Sequence, residues 1–233
     1  MSHRAARVLV VSTGAVRSVP WHGRTVASGI GKTPVHAPVD VGAAGLAGDE
    51  QADLEHHGGP DKAVLVHPGE HYRAWAGRVG DLVPPAFGEN LTTSGLLETD
   101  AVIGSVYAVG TAVLQVTQPR RPCYKLAAHN GVADLAVRTQ RTGRTGFYCR
   151  VLWPGTLEAG QAIELLHRPD HGVTAAEVHR VVNVDRDDLA AARRLLDHPD
   201  LLPSSWVGLL DKRLAGHVDD QAARLHGRPP EGA

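Results

Sequence analysis

The chain has 233 residues, with 24 Lys and Arg against 25 Asp and Glu, so its formal net charge is −1. This balance disfavours binding to nucleic acids or anionic membranes, both of which need a positive field. Hydrophobic residues make up 42% and charged residues 21%, a globular composition that excludes wholesale disorder. Two cysteines are too few for a disulfide framework and predict a reducing, cytoplasmic location. No apolar run reaches the roughly 20 residues of a membrane span, and no signal peptide is expected.

The first two thirds of the chain have a β-rich pattern. Short apolar segments bounded by Gly and Pro predict strands at residues 7–12, 63–67, 102–109, 112–117, 147–153 and 162–166. We expect the strands at 102–109 and 112–117 to form a hairpin, and the last two to pair across Pro154-Gly155. Helices are predicted from near Pro68 and over 132–141, the latter ending at Gly143. Strands this short favour an antiparallel barrel or sandwich.

The pattern changes near residues 168–172, which we expect to be a linker. A capping box, Thr174 to Glu177, precedes valines at helical spacing, and two further short helices follow. We expect Asp185 to cap the first of these, and Ser204 or Ser205 the second. The sequence therefore predicts a β domain at 1–167, a three-helix module at 168–217 and a flexible tail at 218–233. The module contains 7 basic and 8 acidic residues, which disfavours a DNA-reading role.

The most informative segment is 118–126, QPRRPCYKL, directly after a predicted strand. Its two prolines cannot donate to a sheet ladder, so we expect the chain to leave the sheet and display Cys123 on a loop. Three cations lie within three residues of this thiol: Arg120, Arg121 and Lys125. Positive charge favours the thiolate, which is either a nucleophile or a ligand for a soft metal. Cys149 lies inside a predicted strand, so we expect it to be buried in the core.

Two glycine-rich loops, 45–51 and 56–62, carry Asp49 and His57, and let backbone amides approach an anion. Further loops supply cations and amides suited to a ligand that carries phosphate and a heterocyclic edge. The histidines at 56, 57, 67 and 71 could form a zinc site. The lack of an HExxH or CxxC pattern disfavours it.

In their order along the chain, these segments resemble the MOSC domain, and most closely its bacterial YiiM-like branch. The resemblance is carried by GKTPV at 31–35, GLAGD at 45–49, HGGPD at 57–61, FGENL at 87–91, the segment 118–126, and residues 143–148. The three C-terminal helices resemble the 3-alpha domain of that branch. The resemblance covers residues 7–217 and implies a mainly β fold, a MOSC-type β-barrel followed by a small three-helix module.

The resemblance also implies that the chain binds the molybdenum cofactor, a pterin dithiolene with a phosphate (molybdopterin). In the family, the cysteine of the strand-end loop ligates molybdenum, and it corresponds to Cys123. The motif positions that correspond to cofactor contacts are Lys32, Asn90, Gln118, Arg120 and Lys125. We expect most of these residues, together with His57, to gather in one pocket.

The implied activity is the reduction of N-hydroxylated compounds, such as 6-hydroxylaminopurine, to amines. Asp49 and His57 are the predicted catalytic acids, since one of them should protonate the leaving oxygen. The chain has no flavin or nucleotide motif, and two cysteines cannot hold a four-cysteine cluster, so a separate electron-donor reductase is the predicted partner. Two alternatives stay open: a cofactor or sulfur carrier using a Cys123 persulfide, and a purely structural interaction domain.

Overall fold

The computed structural model describes residues 5–52 and 58–227. Their strands are β1 (Arg7–Thr13), β2 (Arg17–Trp21), β3 (Arg24–Ser28), β4 (Thr33–Val35), β5 (Val39–Gly42), β6 (Gly45–Leu46), β7 (Val64–Pro68), β8 (Leu91–Ser94), β9 (Val106–Val109), β10 (Ala112–Pro119), β11 (Phe147–Trp153), β12 (Gly155–Leu157) and β13 (Ile163–His167). Their α-helices are α1 (Glu70–Trp75), α2 (Tyr124–Asn130), α3 (Leu135–Thr142), α4 (Ala175–His179), α5 (Leu189–Leu196), α6 (Ser204–Leu214) and α7 (Ala222–His226).

Eight strands form one sheet in the order β13-β9-β10-β11-β7-β8-β1-β4. Neighbouring strands are antiparallel except β7 and β8, which are parallel. Two small sheets, β12-β5-β6 and β2-β3, accompany it. Backbone hydrogen bonds from Val8 N to Gln161 O and from Ile163 N to Ala6 O, both 2.9 Å, bring the start of β1 to the segment that enters β13. The architecture is sheet-rich with several helices, and a closed MOSC-type barrel stays a prediction.

The hairpin of β9 and β10 is confirmed by the pairing of Ala112 with Val109, but two strand predictions are wrong. Residues 102–105 are not part of a strand, and Val102 forms only an isolated bridge to Thr174. The strand β11 pairs with β10 and β7, whereas β13 pairs with β9. Pro154-Gly155 is therefore not a hairpin turn: the chain continues into β12, which joins β5 in a different sheet.

In the C-terminal part, one predicted helix cap is confirmed and another is wrong. Thr174 Oγ1 accepts a hydrogen bond from Glu177 N at 3.1 Å, as the capping box predicts. Asp188 caps α5 in place of the predicted Asp185, since its Oδ1 accepts from Ala191 N at 2.9 Å. The predicted flexible tail differs from the structure as far as residue 227, because this segment contains α7. Residues 228–233 lie outside the described residues.

One large apolar core joins the sheet to the C-terminal helices, since Val8 and Phe147 belong to the same buried cluster as Val178 and Leu210. The helices therefore complete the core of the sheet, and a separate three-helix module stays a prediction. A second, smaller cluster contains Trp75, Ala86, Phe87, Leu126 and Leu135. No helix in the described part of the chain is both long and apolar enough to cross a membrane.

Candidate functional site

A cleft of about 680 Å³, including the solvent space at its mouth, opens where β3 and β10 end and β11 begins. Six of the eight predicted site residues line it: Lys32, Asp49, Asn90, Arg120, Cys123 and Lys125. They come from four separate stretches of the chain, so only the folded structure brings them together. Gln118 lies opposite Tyr148 on β10 and is not among the lining residues. His57 lies outside the described residues.

Cys123 is the N-cap residue of α2, with extended backbone angles. Its side chain is 8% exposed, so it forms part of the cleft wall and is not displayed on an open loop as the sequence predicted. The segment leaves the sheet at Pro119 as expected, but α2 begins immediately after the cysteine. Cys149 is 3% exposed within the large core, and burial raises the pKa of its thiol to about 12. The prediction that Cys149 is a core residue is confirmed.

Asp49 organises one side of the cleft. Its Oδ1 accepts hydrogen bonds from Gly14 N at 3.0 Å and from Lys32 Nζ. Its Oδ2 accepts from Asn90 Nδ2 at 2.9 Å. Burial lowers the pKa of the Lys32 ammonium, and the nearby Asp49 carboxylate opposes this shift. These contacts fit a residue that holds Lys32 in place better than one that releases a proton.

The Asn90 side chain is bonded mainly to the protein itself. Its Nδ2 donates to Ser12 O at 3.3 Å as well as to Asp49, and its Oδ1 accepts from Leu65 N at 3.0 Å. Both amide hydrogens therefore have protein acceptors. The residue holds the loop before β8 against β1 and β7, which leaves it little capacity to donate to a ligand.

Arg120 has a buried polar atom that lacks a hydrogen-bond partner at the cleft. Its backbone N donates to Gly146 O at 3.0 Å, and its side chain is 6% exposed. Its Nη1 is buried without a hydrogen-bond partner among the residues that the structure describes. Burying part of a charged group without a partner is costly. An arginine at a cleft wall with unused donors indicates an anionic ligand.

The lining residues carry an excess of positive charge. The cations are Lys32, Lys62, Arg120, Arg121 and Lys125, against the carboxylates of Asp49 and Glu50. Arg121 is already committed, because its guanidinium donates to Asn183 Oδ1 at 2.8 Å and to Asp219 Oδ2 at 3.3 Å. It therefore braces the cysteine-bearing segment, whereas Arg120 keeps its Nη1 without a partner among the described residues.

Tyr148 is a lining residue that the sequence analysis missed. Burial raises the pKa of its phenol; the Cys123 thiol acts in the same direction, and Arg120 opposes the shift. The phenol therefore stays a hydrogen-bond donor at neutral pH. The sequence contained a signal for it. Side chains alternate between the two faces of a strand, so Tyr148 faces away from the core that its neighbour Cys149 enters.

Polar groups buried behind the cleft support its wall. Glu89 accepts hydrogen bonds from Tyr72 at 2.6 Å and Thr92 at 2.8 Å, and burial raises its pKa. His67 stacks on Phe87, with ring centroids 4.2 Å apart. No group of three or more potential metal ligands of the His, Cys, Asp and Glu types occurs within residues 5–52 and 58–227. The two remaining histidines of the zinc alternative, His56 and His57, lie outside these ranges.

Comparisons with known proteins agree with this arrangement. Residues 53–164 match the model of the MOSC domain. The chain is 41% identical over 214 residues to the uncharacterized protein YflK of Bacillus subtilis, covering 91% of this chain and 97% of YflK. It is 38% identical over 223 residues to the protein YiiM of Escherichia coli, covering 94% and 97%. The chain therefore belongs to the MOSC domain family, in its YiiM-like branch.

The structural comparison supports the same assignment. The crystal structure of YiiM from Geobacillus stearothermophilus superimposes with a TM-score of 0.75 at 36% identity, covering 90% of this chain and 99% of that one. A protein of Gibberella moniliformis named "Reductase" is 36% identical over 198 residues, which span 81% of this chain but 35% of that protein. The similarity to this last protein is thus confined to one part of it.

Proposed function

We propose that this protein is a molybdenum-cofactor-dependent oxidoreductase that reduces N-hydroxylated compounds to amines. The observation that carries the proposal is the pairing, in one cleft, of the Cys123 thiol with a buried arginine that has an unpartnered donor. A thiol is the side chain that suits a soft metal. A guanidinium suits a phosphate. Membership of the MOSC domain family, and the relative named "Reductase", support the same conclusion.

The residues present fit a pterin cofactor that ends in a phosphate. Cys123 would ligate the metal, while Arg120, Lys32 and Lys125 would bind the anionic end. The unused Nη1 of Arg120 is the feature that most needs such a ligand, because nothing else described in the structure satisfies it. Gln118 and Asn90, the other predicted contacts, are less suitable: Gln118 does not line the cleft and Asn90 is bonded to the protein.

The reaction is R–NHOH + 2 e⁻ + 2 H⁺ → R–NH₂ + H₂O, with the electrons supplied by a separate reductase. When bound, the cofactor supplies the two-electron chemistry, and the protein supplies binding, orientation and electrostatics. Asp49 holds Lys32 and Asn90 in place. The largely buried cleft wall limits the access of water to the anionic end of the ligand. We keep His57 as the proposed proton donor, since the contacts of Asp49 favour a positioning role.

The test is to purify the protein from a host that makes the cofactor, then to measure molybdenum, pterin and the reduction of 6-hydroxylaminopurine by a chemical electron donor. We expect about one molybdenum per chain and turnover that is lost in Cys123→Ser, because a hydroxyl is a hard, poorly ionised donor. Cys149→Ser is the matched control and should keep molybdenum and specific activity.

The same experiment separates the rival functions. Sulfane sulfur on Cys123 without metal would establish a sulfur carrier and overturn the proposal. A protein with neither metal nor sulfane sulfur would indicate an interaction domain. Full reductase activity with bound molybdenum in Cys123→Ser would refute the thiolate-ligand mechanism.

A further inference from the structure

The segment 217–227, called the strap below, follows α6 and lies against the site. It contains α7, whose Leu225 is 8% exposed. At its end, His226 O accepts a hydrogen bond from Trp21 Nε1 at 3.2 Å. Gly227 has a positive φ of 66° and packs so closely on Tyr124 that an added Cβ would lie 2.7 Å from the ring. The C-terminal end of the strap is therefore packed and hydrogen-bonded.

The strap contacts the cysteine loop, defined as residues 120–123. Arg224 Nη1 donates to Pro122 O, the carbonyl oxygen immediately before Cys123. The other end of the same guanidinium, Nη2, donates to Gln140 Oε1 at 2.7 Å and Gln221 Oε1 at 3.0 Å. The planar fork of arginine thus joins the cysteine loop to α3 and to the strap itself, which a point charge could not do.

A second contact links the strap to the C-terminal helices. Asp219 Oδ2 accepts from Arg121 of the cysteine loop at 3.3 Å, and its Oδ1 accepts from Arg213 of α6 at 2.9 Å. Its backbone oxygen accepts from Arg186 at 2.6 Å. One carboxylate therefore connects the loop that bears the cysteine with the helices beyond the sheet.

The electrostatics of the strap also favour a role at the site. Arg224 is largely buried and has no carboxylate partner among the described residues. Burial lowers its pKa to about 9; Arg121 adds to this shift, while Cys123 and Asp219 oppose it. Two guanidiniums close together cost free energy unless negative charge lies nearby. Keeping an arginine buried in this position is costly for folding, so its hydrogen bonds to the cysteine loop and to α3 must offset that cost.

We propose that the strap fixes the position of Cys123, with Arg224 as the positioning residue. This inference rests on the proposed function, in which Cys123 must meet a bound cofactor at a fixed geometry. The C-terminal helices then also help to hold the cysteine loop, because Asp219 binds both Arg213 of α6 and Arg121 of the loop.

The test is hydrogen–deuterium exchange on the protein prepared without cofactor, read by mass spectrometry of peptides covering 118–126 and 189–214. We compare Arg224→Gln, the conservative Arg224→Lys, and Arg193→Gln, which replaces an exposed arginine on α5. We expect Arg224→Gln to speed exchange at 118–126 by about fivefold or more, since charge-assisted hydrogen bonds hold this segment. Exchange at 189–214 should stay within twofold, Arg224→Lys should restore part of the protection, and Arg193→Gln should change neither peptide.

Unchanged exchange at 118–126 in folded Arg224→Gln would overturn the inference, as would an equal increase in both peptides. Should this variant not fold, Gly227→Ala decides the question, because it keeps the arginine but pushes the strap off Tyr124 and should speed exchange at 118–126 alone. The outcome is separate from that of the proposed function. A wild-type protein without molybdenum would refute the function, while the exchange data would still show whether the strap holds the loop.

Discussion

Replacing each cysteine by alanine separates a site thiol from a core thiol. Cys149 belongs to the large apolar core, whereas Cys123 lines the cleft and belongs to neither core cluster. We therefore expect opposite effects. Cys149→Ala should lower stability and keep specific activity, and Cys123→Ala should abolish activity with little loss of stability.

The size of each effect follows from what surrounds the sulfur. Removing one buried heavy atom from a packed core costs about 1 kcal/mol, as in other one-methyl deletions. For a chain of this length that lowers Tm by about 2–4 °C. The Cys123 sulfur borders a cleft that is open to solvent, so its removal leaves no enclosed cavity. Although Cys123 itself is only 8% exposed, the cost should stay below about 0.5 kcal/mol, because no enclosed cavity forms.

Thermal unfolding of the two variants, with molybdenum content and turnover measured on the same preparations, tests the assignment. The two stabilities should differ by at least about 1 °C in Tm, with the order given above. The reasoning fails if Cys123→Ala destabilises the protein more than Cys149→Ala does. It also fails if the Cys149 variant loses molybdenum while it remains folded.

Three further predictions concern the charge, the pH response and the electron source. Arg120→Met should weaken binding of inorganic phosphate by about tenfold or more. It should not lower Tm, because the unpartnered Nη1 costs folding free energy in the wild type. Titration calorimetry with Arg193→Met as the control measures the phosphate affinity, and equal affinity in both variants would contradict the prediction. Burial lowers the pKa of His67 well below its ordinary value, so the unfolded chain binds a proton that the folded chain does not, and stability should fall as pH drops below about 6.5. His67→Phe should flatten this loss by up to about 1.4 kcal/mol per pH unit in urea unfolding, and an unchanged slope would show that His67 does not cause it. The purified protein should not turn over with NADH alone, and turnover would remove the need for a separate reductase.

Signals that act over a few residues could be predicted from the sequence. The capping box at Thr174 and the left-handed glycine that ends α3, Gly143 with φ 70°, both occur where expected. Each depends on backbone groups within four residues, so the local sequence determines it. The motifs of the family resemblance likewise identified six residues of the cleft. They could do so because they are recognised by residue type and spacing, without knowledge of strand pairing.

Pairing between strands far apart in sequence could not be predicted in the same way. The pattern of residues 147–153 shows a strand but not its neighbour, and β11 pairs with β10 and β7. Strand pairing depends on contacts between residues far apart in sequence. The alternation of apolar residues along one strand does not show which strand lies beside it. The hydrogen bonds of Lys32 and Asn90 to the Asp49 carboxylate could not be predicted for the same reason.

Arg120 and Arg121 show most directly what the tertiary structure decided. They are adjacent, identical in type and both within three residues of the cysteine, so the sequence gives no reason to assign them different roles. In the folded chain Arg120 keeps a buried donor without a partner among the described residues, whereas Arg121 binds Asp219, 98 positions away. Arg224 reaches Pro122 O across 102 positions, from a segment whose composition predicted a flexible tail. The sequence alone identified the cysteine and the cations around it. Which cation keeps an unpartnered donor, and which holds the loop, depended on partners that only folding brings within hydrogen-bond distance.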